Sequence, residues 1–475
     1  MNLTKFGISA LGLVVIGGCT VGPDYERPDL GRVLPETYAD AAPLATDVPS
    51  QADIARWWES FGDEELTSLI RRSLSESIRL EQALERIVEA RSRRGIEDAR
   101  RLPTLDGSGG YTRLSTGEEG VGLQGAPPGE ELDLYTAGVV AGWELDLWGR
   151  VERLVEAADA DIEFAVEDYR AVRVALAGDV AREFILIRGL DLEIEAVETA
   201  LETDRDNVEI ASARARAGFA DELDVSRSQR VLDRNLATLP DLRGQRRDAE
   251  IRLAVLLGST PGEIAVSPSG LPRRDVLPSA GVPADLLIRR PDIRRAEQAL
   301  IAATARVGAN QAEYYPRVSI SGTFAFEGTD VGSLVDPDSF GFSLGPSILI
   351  PIFNGGRIRS QVDVAESQQR QAVLALQLAM IDAIAEVESA AALRSRAEER
   401  ATRLGAAEAS ATDTESFATA RFEAGIVDFL DVTEARTQLL DIRRDRAVAE
   451  RETLLRLVDL YVALGGGWEL ESIGN

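Results

Sequence analysis

Two periodicities alternate along the chain. Residues 78–101 carry Leu80, Leu84, Ile87 and Ile96 at helical apolar positions, and Pro103 ends the run. Apolar and polar residues then alternate over 105–114 and 132–145, which predicts two strands separated by a Gly/Pro/Glu-rich loop at 115–131. Residues 151–217 contain no proline and only two glycines, Gly178 and Gly189. At 1.5 Å per residue this predicts a helix roughly 100 Å long. Gly218 breaks it, and a returning helix is expected over 221–257, with Pro240 as a candidate kink. The order then recurs: a helix over 284–313, strands over 317–326 and 340–353, a long helix over 357–424, a break at Gly425 and a return over 428–464. The long helices carry only narrow apolar stripes, such as Ile185, Leu192 and Val197, or Leu374, Leu378 and Ile381. A narrow stripe needs a partner helix, so this is coiled-coil material.

The recurrence is a duplication. Residues 214–225 return at 421–432 with seven of twelve positions identical at an offset of 207. Ala90, Gly95, Ala99 and Pro103 align with Ala303, Gly308, Ala312 and Pro316 at an offset of 213. The chain divides into a leader (1–18), an N-terminal segment (19–77), a first repeat (78–257), a linker (258–283), a second repeat (284–464) and a tail (465–475). Four strands per chain make an open sheet with two bare edges, which oligomerisation can close.

Composition narrows the chemistry. The 475 residues include 80 acidic and 52 basic ones, for a net charge of −28, with no histidine and one cysteine. That excludes Ser-His-Asp and Cys-His machinery, zinc fingers, haem and iron–sulfur sites, and any disulfide within the chain. The acidic balance argues against general nucleic-acid binding. Lys5 is the only lysine; every other basic residue is arginine.

Lys5, the apolar stretch 6–18 and the ending Val15-Ile16-Gly17-Gly18-Cys19 read as a secretory leader closing in a bacterial lipobox. Cleavage before Cys19 and acylation of its thiol and amino group would anchor the chain in a membrane. Thr20, rather than Asp, after the cysteine points to the outer membrane.

Five motifs in order carry a family resemblance. They are residues 17–25 (GGCTVGPDY) with Arg27-Pro28, Trp57-Trp58 with Phe61-Gly62-Asp63, residues 143–150 (WELDLWGR), residues 286–293 (LLIRRPDI) and residues 351–357 (PIFNGGR). Together with the duplication, these resemble the TolC-like outer-membrane efflux proteins, in particular the NodT-type lipoprotein branch. The resemblance implies an α+β membrane protein. Three chains would close a 12-stranded β-barrel, four strands from each, continued by a long α-helical barrel in the periplasm. It implies a homotrimeric exit duct for small molecules, docked onto a periplasmic adaptor and an inner-membrane pump of RND type. No enzymatic activity and no cofactor beyond the lipid on Cys19 are implied.

On this resemblance Gly218 and Gly425 lie at the periplasmic tip and approach the adaptor, in addition to capping their helices. Asp431 and Glu434, six and nine residues after the second tip glycine, would ring the pore aperture. Asp224 keeps the first of these positions in the first repeat, and Arg227 replaces the second; it is expected to pair with a carboxylate of a neighbouring helix. Trp143, Trp148, Tyr111 and Phe353 are candidates for an aromatic girdle, while Trp57 and Trp58 are expected to pack a core. Two other readings remain open from the residues: an exit for type I protein secretion, and a non-conducting periplasmic coiled-coil scaffold.

Overall fold

The computed structural model describes residues 20–29, 35, 38, 54–115, 131–219, 221–273 and 290–468. Its elements are α1 (Glu64–Glu76), α2 (Ile78–Ala99), β1 (Thr104–Ser115), β2 (Glu131–Leu145), α3 (Arg150–Arg216), α4 (Glu222–Leu256), α5 (Pro291–Ala312), β3 (Arg317–Gly328), β4 (Phe340–Leu349), α6 (Arg357–Glu423) and α7 (Phe429–Ala463). Both sequence offsets reappear in the elements: α2 and α5 have 22 residues each, α3 and α6 have 67, and α4 and α7 have 35. Cys19 lies outside the described residues, as does the part of the linker from 274 to 283.

The chain forms two compact units, each drawing on both repeats. The first comprises residues 1–28, 88–163 and 297–374. Its centre is one antiparallel sheet in the order β1-β2-β3-β4. Residues directly opposite in a ladder share a face, so the register sorts the side chains into two sets. One face carries the rows Leu105–Ala141–Gly322–Leu344 and Gly107–Val139–Phe324–Phe342, and then Gly109–Ala137–Phe326–Phe340. The other carries Thr104–Gly142–Ser321–Gly345 and Asp106–Val140–Thr323–Ser343, with Glu144–Ser319–Ser347 beside them. The first face is apolar and aromatic; the second is lined by hydroxyls and carboxylates. Tyr111 packs on Tyr135 at one end of the apolar face (ring centroids 5.0 Å apart), and Trp143 lies at its other end.

β4 stops at Leu349, short of the expected 353. Leu349 pairs with Arg317, the first residue of β3, and the neighbours Pro316 and Pro351 have no N–H to extend the ladder. Phe353 therefore stands off the sheet, 91% exposed. Trp148 also lies beyond the sheet: its indole N–H donates to the Pro316 carbonyl at 2.7 Å and its ring stacks on Tyr315.

The same unit holds an extended strap, residues 20–28. The Val21 N–H donates to the Trp148 carbonyl at 3.0 Å. The Arg153 guanidinium donates to Asp24 at 2.7 Å, and Arg27 and Tyr25 both donate to Glu297 on α5. Burial, reinforced by Glu297, pushes the Tyr25 phenol up to about 12, so it remains a donor at any working pH. Gly22 and Gly308 meet backbone to backbone: a Cβ on Gly22 would lie 2.2 Å from the Gly308 Cα, and the Gly22 φ of +104° is itself a glycine conformation. Gly22→Ala should release the strap. The expected readout is faster Glu-C cleavage after the exposed Glu26 with the helix content unchanged; equal cleavage rates would show that the close approach does not hold the strap.

The second unit comprises residues 29–87, 164–296 and 375–475. Its core gathers Trp57, Trp58, Phe61, Leu66 and Ile70 against Phe184, Leu253 and Tyr461, and Trp57 stacks on Tyr461 with centroids 5.1 Å apart. The two tryptophans are core residues, as expected. Asp63 caps α1 by accepting from the Leu66 N–H at 2.9 Å. α3 and α4 pair through Leu190, Val197, Leu201, Leu239 and Leu242, and α4 continues through Pro240. The two glycines inside α3 mark close approaches to α7: Cβ atoms on Gly178 and Gly189 would come 2.6 Å from Val462 and 2.3 Å from Arg451.

Two further expectations need correction. α5 begins at Pro291 rather than 284, because a residue before proline is pushed out of the helical region and proline fits the first helical position. Residues 284–289 themselves lie outside the described residues. On α2, Leu80 and Ile87 are buried, but Leu84 and Ile96 are exposed. At about 100° per residue, Ile96 falls about 160° around the helix from Leu80.

Candidate functional site at the turns of the helical hairpins

Each long helix ends in the same cap. The Gly218 N–H donates to the Ala215 carbonyl at 3.0 Å and the Phe219 N–H to Arg214 at 2.9 Å; Gly425 and Ile426 repeat this with Phe422 and Arg421, both at 2.9 Å. This is the Schellman pair of bonds, and it requires the left-handed φ of +76° at Gly218 and +71° at Gly425. Phe219 and Ile426, next to the glycines, are exposed. Each turn thus presents a bare glycine backbone beside one exposed apolar side chain.

Asp428 precedes α7, and Asp431 lies in its first turn. Asp431, Glu434 and Gln438 are exposed, while Val432, Ala435 and Leu439 are buried. The spacing of three and four residues puts the three polar groups on one face of α7 and the apolar ones on the face beside it. A groove of about 370 Å³ runs beside this face, lined by Phe417, Arg421, Val427, Asp431, Glu434 and Gln438. Among the described residues, neither carboxylate takes part in an ion pair; Glu434 accepts a 3.4 Å hydrogen bond from Gln438, one turn along.

In the first repeat, the Asp221 side chain caps α4 by accepting from the Asp224 N–H at 3.1 Å. Arg227 pairs with Asp224 of its own helix at 3.5 Å, and among the described residues of the chain it forms no ion pair with a neighbouring helix. Three residues is the shorter reach, and a half-exposed pair of this kind contributes roughly 0–1 kcal/mol. The structure nevertheless brings Arg227 and Glu434 to one groove of about 460 Å³, which Arg230, Arg234, Leu430 and Thr437 also line. Asp224, Arg227, Asp431 and Glu434 thus lie in the opening turns of two equivalent helices, each just past its tip glycine.

One functional candidate escaped the sequence reading. Arg436 donates to Glu415 of α6 at 2.9 Å and to Asn207 of α3 at 2.5 Å. A single arginine among many gave no signal, since its partners stand 21 and 229 residues away.

A sheet with an exposed apolar face and a hydroxyl-lined one, carried with long helical hairpins, fits a channel-forming membrane protein. The family model described as "Outer membrane efflux protein" matches residues 69–259 and 282–466. The chain belongs to the outer membrane efflux protein family. It is similar to the toluene efflux pump outer membrane protein TtgI of Pseudomonas putida, at 31% identity over 96% of this chain and 97% of that one. It is also similar to nodulation protein T of Rhizobium leguminosarum bv. trifolii, at 28% identity over 98% of each. Among solved structures, the outer-membrane channel OprN superposes with a TM-score of 0.86 at 31% identity, covering 95% of this chain and all of that one. Membership places the protein in the outer membrane as an efflux channel.

Proposed function

We propose that three copies of the chain close their sheets into one 12-stranded barrel and form the exit duct of a tripartite pump for small molecules. The observation that carries this is the sheet: β1 and β4 are bare edges, and the two faces differ in the way a lipid-facing wall and a water-filled lumen require. The exposed stripe Leu374, Leu378 and Ile381 on α6, at coiled-coil spacing, supports a neighbouring chain along the helices as well. Cys19 carries the lipid anchor, and the strap that follows holds the anchored end against the first unit. The turns at Gly218 and Gly425 face a periplasmic adaptor, and an inner-membrane pump of RND type loads the duct. Asp431 and Glu434, repeated around the three-fold axis, narrow the periplasmic end. Native mass spectrometry in detergent tests the assembly: a species of three chains, each lipidated, is expected, and a monomer at all concentrations would refute it.

A further inference from the structure

We propose that Arg436 is the positioning residue of the aperture: it locks the rotation of α7 and thereby sets where Asp431 and Glu434 point. The inference rests on the aperture reading of those two carboxylates. Arg436 follows Glu434 by two residues and Asp431 by five. At about 100° per residue it leaves α7 about 160° from the first and about 140° from the second, on the opposite side of the helix. There the fork is held at two points: Nε donates to Glu415 of α6 at 2.9 Å, and Nη1 to the Asn207 side-chain carbonyl of α3 at 2.5 Å. Asn207 is only 2% exposed, and Glu415 is steadied by the Thr419 hydroxyl at 3.2 Å. A planar guanidinium bonded to two helices at once resists rotation of its own helix in a way that a single ion pair does not.

Val432, Ala435 and Leu439 pack α7 at this level, but the packing around Arg436 is incomplete. A polar cavity of about 240 Å³ opens beside Arg436, lined among others by Thr203, Asp204, Asn235, Thr412 and Thr437. Among the described residues, three side-chain bonds tie α3 to α7: Arg182 to Asp459, Arg451 to Glu193, and Arg436 to Asn207. Among the described residues the last is the nearest to the turns. Closer still, Arg214 of α3 lies over the Phe422 ring of α6 at 4.7 Å, and Phe422 packs on Phe429 at the start of α7 with ring centroids 5.2 Å apart; these are ring contacts, without the directional bonds of the fork.

The duplication supplies an internal comparison. At the offset of 207, Arg436 corresponds to Gln229, which bonds Asp233 of its own helix at 2.9 Å. Asn207 corresponds to Thr414, which bonds the Ser410 carbonyl of its own helix at 2.8 Å. The fork is therefore not part of building a hairpin. It occurs in the hairpin that carries both carboxylates and joins that hairpin to the other.

The test is single-channel recording of the reconstituted trimer with Arg436→Met, Arg436→Lys, the pair Asp431→Ala and Glu434→Ala, and the triple variant. Arg436→Met should raise conductance several-fold and weaken cation preference, with the trimer and its Tm retained. Arg436→Lys, which keeps the charge but loses the fork, should fall between wild type and Met; it carries the comparison if the Met variant does not assemble. Adding Arg436→Met to the alanine pair should change ion preference no further. If both Arg436 variants conduct as wild type while the alanine pair does not, the positioning role is refuted. An equal shift in ion preference from Arg436→Met in both backgrounds also refutes it. If the alanine pair itself conducts as wild type, the aperture reading falls, and the role of Arg436 falls with it.

Discussion

Replacing Asp431 and Glu434 together by alanine should raise single-channel conductance several-fold and reduce the preference for cations over anions. Both carboxylates are exposed on one face of α7, beside a groove and with no cationic partner among the described residues. On the aperture reading proposed above, each would contribute a ring of three negative charges around the three-fold axis. Such a ring draws cations, excludes anions and fills the constriction with side chains. Alanine removes the charge and the bulk together. Asp224→Ala should do less, because Asp224 is held by Arg227 of its own helix. The result is read from current–voltage curves in asymmetric salt. Unchanged conductance and an unchanged reversal potential in the double variant would remove Asp431 and Glu434 from the aperture.

The second large effect lies in the sheet. Phe342→Arg places a guanidinium in the row Gly107–Val139–Phe324–Phe342, where Phe324 and Phe342 stack at 6.2 Å. On a lipid-facing wall near mid-depth an arginine costs about 2–4 kcal/mol, and a trimer carries the cost in every chain. Ser343→Arg, one residue along, points into the row with Asp106 and Thr323 and should be tolerated. Membrane fractions should therefore hold little Phe342→Arg trimer and near-normal Ser343→Arg trimer, and the latter should conduct with reduced cation preference. Equal yields of the two would mean that the apolar face is not the lipid face.

Much of this fold is legible in the sequence because few forces shape it. Proline-free runs of Ala, Arg and Glu propagate as helices until a glycine offers a left-handed cap, so both long helices end within a residue or two of the glycine that stops them. The identical lengths of the duplicated helices show that one set of local rules acts twice. What the sequence hides is set by contacts between distant segments. The strap is an example: nothing local in residues 20–28 reveals that Gly22 meets Gly308 or that Glu297 binds both Tyr25 and Arg27. Gly178 and Gly189 read as weak points in a helix, whereas they admit α7. Arg227 was expected to reach a neighbouring helix and instead takes the nearer Asp224, since a local partner costs less ordering of the side chain. Exposed apolar residues such as Leu374 and Leu378 look misplaced on one chain and make sense only against another.

The most direct test of the account is a planar-bilayer recording of the purified, lipidated protein, with its mass measured on the same sample. A particle of three chains that carries small, cation-preferring currents is the expected result. A monomer that never conducts would contradict it and leave a periplasmic scaffold as the better description.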